Sequence, residues 1–309
     1  MNPKPLIIST DPGIDDAAAI TLALFNPQLD VKLLVPTWGN VSLPKTLNNT
    51  LRLLTFLHKK VPVVAGASRP LLRPAIDASS VHGESGMAGY DFPEADSSNL
   101  ISGLAAERIH EVVAVSSEPV ELMQIGPATD FALYFRQYPQ DLAKISQLTI
   151  MGGAIGRGNW GPYAEYNVAG DPEAAQIVFD SHLKVQVAPL ELGHQAYLDQ
   201  ASLAAIKASG PIGEMLYGIM TNIHDILPSK GIESYDALAC GMLLESDMYT
   251  FKPAMVKIET APGYAYGASI IDFDNFFDQP ANAMIGTAID RQRFSDWFIA
   301  QVRAADALS

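Results

Sequence analysis

"PLIISTDPGIDDAAAITLALF", residues 5–25, holds an apolar run that ends at Asp11 and a second apolar segment headed by Asp15 and Asp16. The first run is short, β-rich and apolar throughout, which predicts a strand buried on both faces. The second is rich in Ala and Leu at helical spacing, which predicts a helix. Asp11, Asp15 and Asp16 crowd the junction between them. An unpaired carboxylate is costly to bury, so this crowding asks for a cation or for a reaction that uses the charge.

The strand–helix alternation continues along the chain. "VKLLVPTW" precedes "LPKTLNNTLRLLTFLHK", "PVVAG" follows, "VELMQIG" precedes "PATDFALYFRQYP", and "ISQLTIMGG", "DPEAAQIVFD" and "LKVQVAPL" come next. Such a pattern predicts an α/β fold with an open, mostly parallel sheet flanked by helices. After about residue 198 helical segments dominate ("LDQASLAAIKA", "PIGEMLYGIMTNIHDIL", "YDALACGMLLE"). The chain closes with extended stretches, "AMVKIET" and "AYGASIIDF", and an amphipathic helix, "RQRFSDWFIAQVRAA". With no repeat, low-complexity segment or linker, residues 1–309 read as a single domain. Ligands of open parallel sheets bind beyond the carboxyl ends of the strands. Asp11, Asn40, Gly126 and "MGG" at 151–153 each follow a predicted strand, so four strand ends point to one crevice.

Bulk composition narrows the function. The chain has 309 residues, 48% of them hydrophobic, and a formal net charge of -14. No Lys/Arg cluster is long enough to track a phosphate backbone, which argues against nucleic acid and anionic membrane as partners. Cys240 is the only cysteine, so neither an intramolecular disulfide nor a Cys-rich zinc site is available. The N-terminus reads as too short and polar for a signal peptide and no apolar run reaches membrane-spanning length, so a cytoplasmic protein is expected. "NNT" at 48–50 is then an N-glycosylation match without secretory context.

A single Asp at a helix start serves as a cap or complements the dipole. Three ask for more. All-oxygen ligation without nearby His or Cys suits Ca²⁺ or Mg²⁺ rather than zinc, and the spacing does not match an EF-hand loop, so further ligands must come from elsewhere. The glycine-rich "GGAIGRGNWG" lacks both the Walker Lys-Ser/Thr ending and Rossmann spacing, and reads as a loop carrying Asn159. His58, His110, His182 and His194 occupy ordinary contexts and receive no role.

"DPGIDDAAAI" resembles the N-terminal signature of the nucleoside hydrolases, which cleave the N-glycosidic bond of ribonucleosides with a bound Ca²⁺. "WGNVS" at 38–42, "VHGESGMAGYDF" at 81–92, "IGPATD" at 125–130, "IMGGAIGRGN" at 150–159, "AEYNVAGDPEAAQIVF" at 164–179 and "YDALA" at 235–239 agree in order and spacing. The resemblance spans essentially the whole chain and is closest to non-specific bacterial ribonucleoside hydrolases. It implies that Asp11, Asp16, Asp236 and the backbone carbonyl of Ile125 bind calcium, with Asp11 also the base that takes a proton from water. It further implies that Asp15 and Asn40 hold the ribose 2′- and 3′-hydroxyls, and that Asn159, Glu165 and Asn167 reach the rest of the ribose. The resemblance also implies that His82 and Met151 lie near the pocket. Asp236 touches both metal and ribose, and a homodimer or homotetramer is usual.

The departures concentrate on the leaving-group side. The family usually has Asp where this chain has Ser9, Leu-Thr-Asn in place of Ala128-Thr129-Asp130, and His where this chain has Tyr235. Ile219, Ile223 and Leu227 are apolar where members that protonate pyrimidines show polar side chains. Tyr235 and His82 are the candidates for contact with the departing base, with purine nucleosides favoured. Two other readings compete: a non-catalytic nucleoside or ribose binder, and a metal-dependent phosphoesterase. The scarcity of Lys and Arg in the candidate motifs counts against the latter.

Overall fold

The computed structural model describes residues 2–79, 83–222 and 231–309. Its framework is a ten-stranded mixed sheet in the order β11-β10-β12-β7-β6-β5-β1-β2-β3-β4. The strands are β1 (Lys4–Thr10), β2 (Leu29–Pro36), β3 (Val63–Val64), β4 (Leu100–Ile101), β5 (Val120–Gln124), β6 (Ile145–Met151), β7 (Val185–Ala188), β10 (Tyr249–Ile258), β11 (Ser269–Asp272) and β12 (Ala283–Ile289). β8 (Tyr197–Leu198) and β9 (Ile232–Glu233) form a separate antiparallel ribbon. β1 to β7 run parallel and β12 joins β7 in parallel, whereas β10 is antiparallel to both β11 and β12.

Alternate residues of β1 feed two cores. Leu6 and Ile8 pack on one face and Ile7 on the other, all without solvent exposure. Full burial of each such side chain is worth about 1.5–3 kcal/mol, so a register slip is strongly opposed. The helix Ile14–Phe25 is apolar nearly all round because it is covered twice: the sheet lies beneath it and the helices Asp236–Leu244, Pro211–Thr221 and Arg291–Leu308 lie over it. That packing fixes the helix start, and with it Asp15 and Asp16, against the end of β1.

The chain adds β2, β3 and β4 on one side of β1, then returns to lay β5, β6 and β7 on the other. The switch between β1 and β5 opens a crevice at their carboxyl ends. Ile125 N–H donates to Ser9 O at 2.9 Å across the switch and holds Asp11 and Gly126 side by side. The four strand ends expected to converge belong to the neighbours β6, β5, β1 and β2.

Two expectations need adjustment. The stretch Ala283–Ile289, not read as extended, is β12, which couples the antiparallel pair to the parallel sheet. The segment after residue 198, read as helical, also contains β9, paired to β8. The helix beginning at Pro211 is described to Thr221; Ile223 and Leu227 lie outside the described residues. Among the described residues no helix is long and apolar enough to cross a membrane.

Candidate active site

Asp11 sits one residue past β1 and is wholly buried. Asn40 N–H donates to Asp11 Oδ2 at 2.7 Å, while the Asn40 side-chain amide donates to Asp11 O at 3.1 Å and to Asp16 Oδ2 at 3.2 Å. Asp16, at the third position of its helix, caps that helix by accepting from Gly13 N at 3.0 Å, and also accepts from Asp11 N at 3.1 Å and Thr10 Oγ1 at 2.6 Å. Asp11 Oδ1 is buried and has no hydrogen-bond partner among the described residues. The glycines at the neighbouring strand ends make room for this carboxylate. A Cβ on Gly39 would overlap Asp11 Oδ2, and one on Gly126 would stand 2.5 Å from Asp11 Oδ1.

Asp15, Asp16 and Asp236 bring carboxylate oxygens within 4.8 Å of one another. Asp236 opens the helix Asp236–Leu244, whose N-terminus favours negative charge. Burial, then the charges of Asp15, Asp16 and Asp11, push the Asp236 carboxyl well above its usual range. Burial, then Asp16, does the same to Asp11, and burial raises Asp15. This is an electrostatic load waiting for a counter-charge. The three grouped carboxylates, all hard oxygen donors, fit a divalent cation such as calcium or magnesium. Asp15, expected on the sugar, thus stands in the three-carboxylate group; Asp11 lies outside it, held by Asn40.

Around the other side of the crevice, Glu165 caps the helix Tyr166–Gly170. Its carboxylate accepts from Asn167 N at 2.9 Å, Gly153 N at 2.9 Å and Val168 N at 3.2 Å. Burial nevertheless raises its pKa to about 7. Asn167 Nδ2 donates to Ile125 O at 3.3 Å and Met151 O at 3.2 Å, tying together the ends of β5 and β6. Asn159 Oδ1 accepts from Tyr166 N at 2.9 Å, so the glycine-rich loop is anchored beside the same helix.

Asp15, Asn40, Ile125, Met151, Asn159, Glu165, Asn167, Tyr235 and Asp236 all line one cavity of about 400 Å³. No Lys or Arg is among its described lining residues. Asp11 and Asp16 are wholly buried and are not among the described residues that line it; they meet the lining through Asn40, which bonds both. His82, the remaining candidate, lies outside the described residues, as does His224. Seven described lining residues escaped the sequence reading: the apolar Ile14, Ala78, Met220 and Ile232, and Trp160, Tyr166 and Glu233. Trp160 packs edge-on against Tyr166, whose hydroxyl donates to Gly39 O at 2.8 Å. An aromatic next to Asn159 was a usable signal; Glu233, in a two-residue strand, offered none beyond its closeness to Asp236.

Tyr235 stands against the helix Leu190–Gln195, where a Cβ on Gly193 would overlap its ring. Its hydroxyl donates to Glu233 Oε2, and His194 Nδ1 lies 2.8 Å from the same oxygen. His194, given no role from sequence, is exposed outside the described cavity lining and meets the site through Glu233. Burial, then the Glu233 bond and charge, push the Tyr235 phenol far up, away from the range of a useful acid.

Residues 6–296 match the family model described as inosine-uridine preferring nucleoside hydrolase. The chain belongs to the nucleoside hydrolase family. The non-specific ribonucleoside hydrolase RihC of Klebsiella pneumoniae subsp. pneumoniae is 42% identical over 293 residues, 95% of this chain and 96% of that one. A plant nucleoside hydrolase, the PpNRh1 enzyme, superposes with a TM-score of 0.87 at 29% identity, covering 98% of this chain and 99% of its own. A purine-preferring ribonucleoside hydrolase from Gardnerella vaginalis shares the fold with a TM-score of 0.89 at 23% identity, over 99% and 100% of the two chains. The nucleoside hydrolase resemblance drawn from the motifs is thereby established along nearly the whole sequence.

Proposed function

We propose that the protein hydrolyses the N-glycosidic bond of ribonucleosides, releasing free base and ribose, with calcium held by Asp11, Asp16, Asp236 and the carbonyl of Ile125. The observation that carries this reading is the buried Asp11 Oδ1, without a hydrogen-bond partner among the described residues, beside a three-carboxylate group. When bound, the cation offsets the crowded negative charge and makes water a better nucleophile.

Asp11 takes the proton of the attacking water, and its orientation for that task comes from Asn40 and from the glycines on either side. Asp15 and Asn40 receive the ribose 2′- and 3′-hydroxyls, and Asn159, Glu165 and Asn167 the remainder of the sugar. Met151 forms part of the floor. As the glycosidic bond breaks, the ribose gains oxocarbenium character, which a carboxylate-lined cavity stabilises. Tyr235 forms the wall beside the base, and His82 remains the candidate proton donor. Purine N7 can be protonated by ordered water, a route less open to pyrimidines, which favours purine nucleosides.

The test is a hydrolysis panel over the common ribonucleosides, run with metal analysis of the purified protein. Reducing sugar released from inosine and uridine, tight calcium and loss of turnover on chelation are expected. Binding of nucleosides without any turnover would assign the chain to a non-catalytic binder instead.

A further inference from the structure

The base side of the cavity carries one acid that the proposed reaction does not use. Around Tyr235 the described lining includes the apolar Met220 and Ile232 and the polar Glu233. Glu233 is placed by the ribbon: β9 pairs with β8 through Tyr197 opposite Glu233, which sets the carboxylate next to the helix carrying His194. Tyr235 gives its hydroxyl proton to Glu233 Oε2, and a carboxylate can only accept from His194 Nδ1 at 2.8 Å. The phenol oxygen, its proton engaged by Glu233, keeps lone pairs. A carboxylate accepts at about four positions over its two oxygens and donates at none.

We propose that Glu233, oriented by Tyr235 and His194, is a specificity-determining residue that reads the edge of the base as an acceptor-only surface. The inference rests on the ribonucleoside reading above and deepens it. A base that presents a ring N–H to this edge, as hypoxanthine, guanine and uracil can, gains a charge-assisted hydrogen bond. Adenine presents the N1 lone pair at the corresponding ring position, and cytosine the N3 lone pair. Lone pair against carboxylate is repulsive at that ring position and leaves only the exocyclic amino group to bond Glu233, with no Lys or Arg among the described lining residues to compensate the ring nitrogen.

The experiment compares kcat/KM of the full-length enzyme for inosine with 1-methylinosine, for uridine with 3-methyluridine, and for inosine with adenosine. The same comparisons are then made with Glu233→Gln, which keeps shape and supplies a donor. For the wild type, methylation of the ring nitrogen should lower kcat/KM by about 30-fold or more, within the range open to a site built around a hydrogen bond. In Glu233→Gln the inosine-to-adenosine ratio should fall by about tenfold or more, mainly through a gain on adenosine, as expected for one exchanged hydrogen bond. If Glu233→Gln does not fold, the methylated substrates on wild type decide: near-equal turnover of uridine and 3-methyluridine overturns the proposal. A ratio unchanged within about threefold in folded Glu233→Gln overturns it as well. Failure of the wild type to hydrolyse any ribonucleoside overturns the ribonucleoside reading itself, a result distinct from turnover with unaltered base preference.

Discussion

Asn40 grips Asp11 from two directions, its backbone N–H on Oδ2 at 2.7 Å and its side chain on the Asp11 carbonyl at 3.1 Å, with Asp16 reached by the same amide at 3.2 Å. One residue in the turn after β2 therefore orients two carboxylates, one just past β1 and one in the first turn of the helix that follows. Partners that orient metal-binding groups commonly contribute about 10–100-fold in affinity. Asn40→Ala should weaken calcium binding by about that factor, measured calorimetrically on the metal-free protein. Asp11→Ala should abolish turnover while leaving the far-ultraviolet dichroism intact. Calcium affinity in Asn40→Ala within about threefold of wild type would show that the clamp does not serve the metal.

Gly126 gives a second, purely steric handle on the same carboxylate. A methyl group there would stand 2.5 Å from Asp11 Oδ1 and 3.2 Å from Asp11 N, so Asp11 must move. Near-attack geometry is lost with displacements of about 1 Å, which can cost about 10²-fold in rate. Gly126→Ala should thus lower kcat by about that much, with a far smaller effect on thermal stability than on activity. Equal kcat in Gly126→Ala and wild type would mean that Asp11 does not need this position.

How far the sequence reveals this arrangement depends on distance along the chain. Asp11, Asp15 and Asp16 are legible because one strand–turn–helix unit places them, and Asn40 and Gly126 because each ends an apolar run. Asp236 enters only through the family resemblance, since nothing local ties "YDALA" to β1. Glu233 and His194 were invisible for a different reason: their meeting depends on the pairing of two short strands, Tyr197–Leu198 and Ile232–Glu233, which carry almost no periodic signal. β12 was missed likewise, its Gly286 interrupting "AMIGTAI"; a Cβ there would press on the side-chain ends of Leu192 and Met242.

Substrate charge gives the next prediction. The described lining of the cavity has Asp15, Glu165, Glu233 and Asp236 and no Lys or Arg, so a 5′-phosphate enters against its own charge. Inosine should be hydrolysed and inosine 5′-monophosphate should not. Removing the 2′-hydroxyl leaves Asp15 and Asn40 without their partner, a loss that can reach roughly 10⁴-fold in sites built around a hydroxyl. Comparable kcat/KM on inosine and 2′-deoxyinosine would refute the assignment of those two residues to the sugar.

For Tyr235 the structure separates ring from hydroxyl. Its proton is engaged by Glu233 and burial pushes the phenol further from the acid range, whereas the ring is pressed against Gly193 as part of the wall. A positioned general acid contributes roughly 10² to 10⁴ in rate. Tyr235→Phe should cost less than about tenfold in kcat on inosine and uridine, and Tyr235→Ala distinctly more, since only the latter removes the wall. A Phe variant as damaged as the Ala variant would restore the phenol as proton donor. If both variants stay within about threefold of wild type, below about 1 kcal/mol, Tyr235 has no part in base departure.

Asp130 tests the other departure from the family pattern, which usually has Asn there. The side chain is buried at the start of the helix Thr129–Gln137 and accepts from Ala67 N at 2.9 Å. Burial raises its pKa to about 6 against Thr37 and Ala67, whose hydrogen bonds favour the anion. An unfolded aspartate titrates at about 3.9. Below that value both states are protonated and the residue carries no ionisation penalty. As pH climbs through about 6 the folded carboxyl must ionise inside the protein, and the stability present at low pH is lost. The full loss is on the order of 3 kcal/mol, because every tenfold weakening of an acid on folding is worth about 1.4 kcal/mol. Asp130→Asn keeps an oxygen for Ala67 N–H and removes the ionisation. It should therefore be more stable than wild type in denaturant at about pH 8, with the difference shrinking as pH falls from about 6 to about 4. An Asn variant that is less stable at the alkaline end, or whose advantage does not change over that interval, would show that the Asp130 carboxylate is fully compensated by its hydrogen bonds.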